Sequence, residues 1–460
     1  MVVEAALNPI LPSTGEGDRG NAYLKELLRY LEGQKVRSHS EIAGWLQELR
    51  QRAAYNVTKQ RMPNRRDEEW RFTDVSGLQQ HTFTIAPAAQ LSPTDIQNLT
   101  LPEAAESRAV FVNGHFAPEL SNLTALPEGI FVGNLAQLPI DQSLKLVKYF
   151  GHIEGANEVF TALNTVGFPD VAMVWLSQDA IVEQPVHLLF VTVVEDEVIL
   201  TSPRAAIIAE PNSSLEIVEH YAAITPVCPD QTGKTPYWTN AVTEIWVEEN
   251  AQINHTRNQR ESGDSFHIGK TAVAQNRNSR YTCNALSLGA KLSRHNLEVW
   301  QQGEQTETTL NGLTIAGREQ VADTHSLIAL NHPHGTTDQL HKCVIDDTAH
   351  AIFNGKVYVP KNAQLTNAAQ LNRNLLLSPK ARVDTKPQLQ ITADNVKCTH
   401  GATISQIEAD ELFYLQSRGI NADSARSLLL DAFAAEILNR VPIASLRQRL
   451  AQCIACRTYE

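Results

Sequence analysis

Two residues in this 460-residue chain stand at a spacing that permits shared chemistry: Cys398 and His400. They close a run, Val383 to Val396, that reads as strand and turn, and Gly401 follows them. Side chains two apart on a strand share a face, with backbones roughly 7 Å apart. A thiolate and an imidazole so placed suit iron or sulfur chemistry, because soft and borderline ligands favour such partners. Two ligands do not close a metal site, so further groups would have to come from elsewhere, including from another chain. A cysteine at such a place equally serves as a small buried hydrophobe. A nucleophilic dyad is disfavoured, since neighbouring same-face side chains point in parallel rather than at each other.

Other chemistry-bearing groups are weaker. His325, His332, His334, His341 and His350, with Cys343, crowd residues 325–350, but their spacing is irregular and no orienting carboxylate is evident for each. His332-Pro333-His334 reads as a loop. Cys453 and Cys456 form a lone CxxC near a helix end, with no second pair and no preceding strand. Asp346-Asp347 is the best carboxylate pair and reads as a turn. There is no GxxxxGK[ST] loop and no GxSxG elbow, so the chain is not expected to hydrolyse ATP itself.

The elements that position these groups fall into four regions. Residues 1–80 read as helical: Leu24, Leu27, Leu28 and Leu31 recur at helical spacing, as do Ile42, Trp45, Leu46, Leu49 and Ala53, with Ser40 as a candidate cap. Arg65 to Arg71 reads as a solvated charge run anchored by Trp70. Residues 81–165 are mixed α/β. From 166 to 404 short apolar or alternating runs are separated by Gly, Asn, Asp and Pro, with no amphipathic helix between them, which excludes a βαβ pattern. A small residue, any residue, then an aliphatic one recurs at Leu215, Ile253, Leu292, Leu365 and Val383, spaced by 38, 39, 73 and 18. A unit near 18 or 19 residues predicts one turn of a β-solenoid with these five stacked inside. A β-sandwich is the competing reading. Residues 405–460 are helical again: Gly419 stops a first helix, Asn421 caps a second, and apolar residues cover more than half its circumference. Such a helix needs two partners, either this chain's own solenoid and helices or another subunit.

Composition narrows the function. A net charge of −12 without a basic block argues against nucleic acid and anionic membranes. No apolar run reaches 18 residues, so no transmembrane span is expected. The first 20 residues lack the pattern of a secretory signal. Six irregularly spaced cysteines fit free thiols in a reducing cytoplasm.

Several long words are similar to those of one family. VDTKPQLQITADNVKCTHGAT at 383–403, ELFYLQSRGI at 411–420, RRDEEWRFTDV at 65–75, LNGL at 310–313, QLHKCVIDDTAHAIFNGKVYV at 339–359 and QLNRNLLLSPKARVDTKPQL at 370–389 resemble the SufB/SufD family of the SUF iron–sulfur cluster assembly system. The KCxHGAT form follows the SufD branch rather than SufB. The resemblance covers roughly residues 67–440. It implies a mainly β fold, a right-handed parallel β-helix flanked by N- and C-terminal helical domains. It also implies a non-enzymatic scaffold that pairs with a SufB-like subunit and docks a SufC-like ATPase. By the same resemblance His400, with Cys398 beside it, would help hold a transient iron–sulfur cluster shared with the partner. Leu430, Phe433, Ala434 and Leu438 on the C-terminal helices would meet the ATPase, and a homodimer is the expected alternative in isolation. The competing class is a β-helix protein acting on or binding polysaccharide. That class needs paired carboxylates and aromatic platforms, and aromatics make up only 6% of this chain.

Overall fold

The computed structural model describes residues 16–224 and 235–456; Cys228 lies outside them. Its core is a β-solenoid of about eight turns. Each turn gives one strand to each of two parallel sheets. The first sheet stacks Ser214–Ile224, Gln252–Glu261, Arg280–Gly289, Glu307–Ala316, Thr336–Ile345, Asn367–Leu376 and Lys397–Gln406. The second stacks Tyr237–Val247, Phe266–Gln275, Leu292–Gln301, Val321–Ala329, His350–Val359 and Arg382–Ile391.

The register corrects the expected period. Leu215, Ile253, Tyr281, Thr308, Thr337, Ala368 and Cys398 stand directly over one another. Successive turns after Ile253 are therefore 27–31 residues long, not 18 or 19, because each turn holds two strands of about ten residues and two corners. Leu215 and Ile253 stack inside as expected. Leu292 belongs to the second sheet and faces outward, among Leu24, Leu27 and Phe160. Val383 is in that sheet too but faces inward as expected, against Ala351 and Ala381, and Leu365 is a half-exposed corner residue.

The corners carry the repeat that matters. Asn212, Asn250, Asn278, Gln305, His334 and Leu365 all have positive φ, near 55–62°. Each lies two residues before a first-sheet strand and is followed by a small residue: Ser213, Ala251, Ser279, Thr306, Gly335 and Thr366. Asparagine tolerates the left-handed region best, because its short side chain bonds locally. Each corner N–H donates to the next turn, for example Asn212 to the Glu249 carbonyl at 2.9 Å and Leu365 to that of Asn395 at 2.7 Å. Asn250 and Asn212 extend this into a side-chain ladder, Nδ2 to Oδ1 at 3.0 Å.

The interior is apolar at its start, around Ile207, Ile217 and Ile245. Midway it becomes polar: Glu219, His255, Arg257, Glu261 and His267 are all buried. His255 Nε2 lies 3.1 Å from Glu219, and His267 Nδ1 lies 2.6 Å from Glu261. Burial alone would lower the His255 pKa, but hydrogen bonding to Cys283 and Glu219 pushes it up to about 9. The folded chain thus holds a proton that the unfolded chain releases near the ordinary value of about 6.5. The contribution is whole below about pH 6.5 and lost as pH rises through about 9. Thermal unfolding should therefore show a lower Tm at pH 9.5 than at pH 6.5, by a smaller margin in His255→Gln. An equal fall in both chains would remove this cause.

Helices cover both outer faces. α1 (Glu16–Leu31) and α2 (Ser40–Thr58) bury the leucines and isoleucine expected from their spacing. Ser40 is not the cap: His39 holds that position, and the Ser40 hydroxyl turns to Glu41 instead. α3 (Ile140–Leu146) and α4 (Val159–Gly167) complete this side, where α4, α1 and α2 pack on the second sheet. At the other end come α5 (Ala409–Ser417), α6 (Ala422–Leu438) and α7 (Ala444–Cys456). Gly419 has φ of 88° after α5, and Asn421 Oδ1 accepts from the Ser424 N–H at 2.8 Å, both as the sequence predicts.

Candidate functional site at the open end of the solenoid

Arg382–Ile391 and Lys397–Gln406 are the last strands of their sheets, so each has one unpaired edge. Several side-chain bonds tie this last turn to the preceding one. The Thr385 hydroxyl donates to Asn372 Oδ1 at 2.7 Å, and Asn374 Nδ2 donates to the Thr403 carbonyl at 3.0 Å. Pro387, opposite Gly355, has no N–H, and edge strands are where a sheet accepts proline.

Cys398 and His400 lie within the final strand rather than after it, and they share its interior side. Cys398 stands under buried Ala368, and His400 under buried Gln370, whose amide donates to Gln339 at 2.8 Å. In every earlier turn, interior groups are covered by the turn that follows. Here no strand among the described residues follows. His400 is accordingly exposed and Cys398 half-buried. Burial pushes the Cys398 thiol up, against a smaller opposing hydrogen bond from the Ala368 backbone. The thiol therefore keeps its proton near neutrality, and a metal would have to displace it. Among the described residues no set of three or more His, Cys, Asp or Glu side chains is gathered for a metal.

The histidines of 325–350 do not converge. His341 and Cys343 are buried inside the solenoid, His325 and His350 lie on the outer face of the second sheet, and His334 is a corner residue. His350 Nε2 sits 2.6 Å from Asp384. Asp347, also at a corner, accepts from the Arg318 N–H at 2.7 Å.

The expected docking residues are inside the molecule. Leu430, Ala434 and Leu438 are buried with Leu313, Ile315, Leu340 and Val344 of the first sheet and with Leu446 and Leu450 of α7. The helix is apolar over more than half its circumference because one side meets the solenoid and another meets α7. Phe433 is half-buried, its ring 4.3 Å from the Lys342 ammonium and 5.9 Å from the Arg373 guanidinium. Lys342 also donates to the Phe433 carbonyl at 2.9 Å and pairs with Glu436. The apolar groups left outside are Phe413 and Tyr414 on α5, 71% and 59% exposed, and Leu428 on α6. No α5 residue is buried. Leu412 and Leu415, three apart on one helix face with Phe413 and Tyr414 between them, were the available sign. Cys453 is half-buried in the α6–α7 core, and the Cys456 side chain lies outside the described residues.

The charge run at 65–71 is more than a solvated surface. Trp70 is buried, with the Arg294 guanidinium 3.8 Å from its ring centre. Arg294 also donates to the Glu69 carbonyl at 2.7 Å, and Thr73 bonds Asp323. Asn354 reaches the Glu69 carboxylate at 3.4 Å. Residues 65–73 thus form a strap across four turns of the second sheet, from Arg294 to Lys386, which pairs with Glu68 at 2.7 Å.

Comparison with known proteins agrees with this architecture. The family described as "SUF system FeS cluster assembly, SufBD core domain" matches residues 191–433, and the "SufBD protein N-terminal region" matches residues 23–188. The chain is 54% identical over 409 residues to an iron–sulfur cluster assembly SufBD family protein of Synechocystis sp., covering 89% of this chain and 90% of that one. It is 36% identical over 414 residues to the chloroplastic protein ABCI7 of Arabidopsis thaliana, covering 88% and 84%. It is 29% identical over 400 residues to the iron–sulfur cluster assembly protein SufD of Escherichia coli, covering 86% and 89%.

Proposed function

The chain belongs to the SufBD family of iron–sulfur cluster assembly proteins, and from that premise we propose that it is a non-enzymatic assembly subunit whose open solenoid end pairs with a SufB-like chain. One observation carries this reading. Cys398 and His400 face the interior side of a turn that no strand among the described residues covers, and they are too few to hold a cluster. A second chain laid against the free edges of the terminal strands would cover both residues and extend the backbone ladders. Edge addition of this kind takes its affinity from main-chain hydrogen bonds. The partner would also supply the missing ligands.

In this reading the iron–sulfur cluster is cargo assembled between two chains, not a resident cofactor. The imidazole of His400 has a lone pair free to coordinate iron once covered, and its second nitrogen then needs an acceptor from the partner. The Cys398 thiol first packs against Ala368 and ligates at most secondarily. A SufC-like ATPase would dock on the C-terminal helices, at the exposed face of α5 around Phe413 and Tyr414, instead of at the buried leucines of α6. ATP-driven movement of that subunit would strain the paired edges and open the covered site. The cytoplasm, where reduced thiols persist, suits this chemistry.

The test is co-purification of the tagged chain with SufB-like and SufC-like subunits from a co-expressing cell, followed by iron and acid-labile sulfide analysis. Recovery of both partners with iron and sulfide is expected. A chain that recovers neither partner would end the proposal.

A further inference from the structure

The strap at 65–73 leaves a groove of about 440 Å³ between itself and the outer face of the last turns of the second sheet. Arg65, Arg66, Arg71 and Lys386 line it, beside Phe72 and Ile352. Four permanent cations at one groove are unexpected on a chain of net charge −12. Carboxylates are present too, but each is committed. Glu68 accepts from Lys386, Glu69 lies 3.2 Å from His325, and Asp384 lies 2.6 Å from His350. Arg65 and Arg71 have no carboxylate partner among the described residues. The Arg65 Nε–H donates to the Arg71 carbonyl at 3.4 Å, and the Arg71 guanidinium lies 5.6 Å from the centre of the Phe72 ring. His325, on the groove floor, is held between Asp323 and Glu69: burial opposes its protonation, but the Asp323 charge raises its pKa above the ordinary value.

Guanidinium forks match the paired oxygens of phosphate and bind them bidentately. The groove is larger than a bare ion needs and falls in the range of small-molecule sites, which combine apolar walls with a few placed polar groups. We propose that this groove binds a phosphorylated small molecule, with Arg65 and Arg71 on its phosphate and Phe72 against its body. This does not rest on the assembly role argued above. It does connect to the open end, because Lys386 and Asp384 belong to the strand Arg382–Ile391 that carries one of the free edges.

Isothermal titration calorimetry of the full chain at about 50 mM salt, with adenosine monophosphate and pyrophosphate as probes and citrate as the carboxylate control, tests this. At least one phosphate probe should bind with a Kd below about 1 mM, and citrate about tenfold or more weaker. Arg65→Glu with Arg71→Glu should weaken that binding by about tenfold or more, with thermal unfolding unchanged because both side chains are exposed. Should that pair misfold, Arg65→Gln with Arg71→Gln gives the same reading without charge reversal. No heat from either phosphate probe, equal affinity for citrate, or binding that survives loss of both arginines would overturn the proposal.

Discussion

His400→Ala is expected to leave the chain folded and able to pair, while the iron and sulfide recovered with the complex fall by about tenfold or more. The side chain is exposed on the terminal strand and makes no hydrogen bond to the described residues, so its removal should change stability by no more than about 0.5 kcal/mol. Everything lost is then attributable to coordination. Cys398→Ala should be milder, because the thiol is held protonated and contributes packing first. Cys453→Ser with Cys456→Ser should leave cluster content unchanged. The measurement is iron and sulfide per complex for each variant, beside the yield of co-purified partner. Full cluster content in His400→Ala, or a loss seen only when the C-terminal pair is changed, would remove His400 from the site.

The second expected result separates docking from folding at the C-terminal helices. Leu430→Asp with Leu438→Asp places two carboxylates in the core between α6, α7 and the first sheet. Burying unpaired charge there costs several kcal/mol, enough to detach both helices from the solenoid. Limited proteolysis should then cut within residues 422–456 while the β-solenoid persists. Phe413→Asp with Tyr414→Asp alters groups that touch little of this chain. That variant should keep its Tm and its protease resistance. If α5 is the ATPase-docking face, it should lose capture of the SufC-like subunit by a thousandfold or so, the loss expected when two aromatic anchors go. Retained capture by the α5 variant, with loss in the α6 variant before any unfolding, would return the docking site to α6.

The fold class was legible because strand after strand alternates without a helical crossover, and because the family's words run the length of the chain. The turn length was not. The aliphatic residues that suggested 18 or 19 came from different places: Leu215 and Ile253 from inside the first sheet, Leu292 from the outer face of the second, Leu365 from a corner. The readable repeat was the corner itself, Asn212-Ser213, Asn250-Ala251 and Asn278-Ser279, where backbone sterics select the residue. It fades at Gln305, His334 and Leu365, which adopt the same φ without asparagine's help. The helical stripe of α6 was visible, but not which partner it meets, since burial against one's own sheet and against another chain ask for the same residues. The Cys398–His400 pair was visible as a spacing. That it sits uncovered could not be, because exposure depends on what is absent above it.

A stacked array is only as firm as its ends. Interior turns are braced above and below, while the final one is braced from a single side, with side chains along Lys397–Gln406 exposed or half-exposed. Repeat architectures ordinarily finish in a terminal cap that seals the last rung. Among the described residues, the helices pack against the sheet faces and no further strand covers that rung. In the proposed complex the partner would be the missing cap as well as a ligand donor. Fraying of the last rung and assembly of that complex would then be one equilibrium, with the amount of partner setting how much of this subunit is fully folded at its working end.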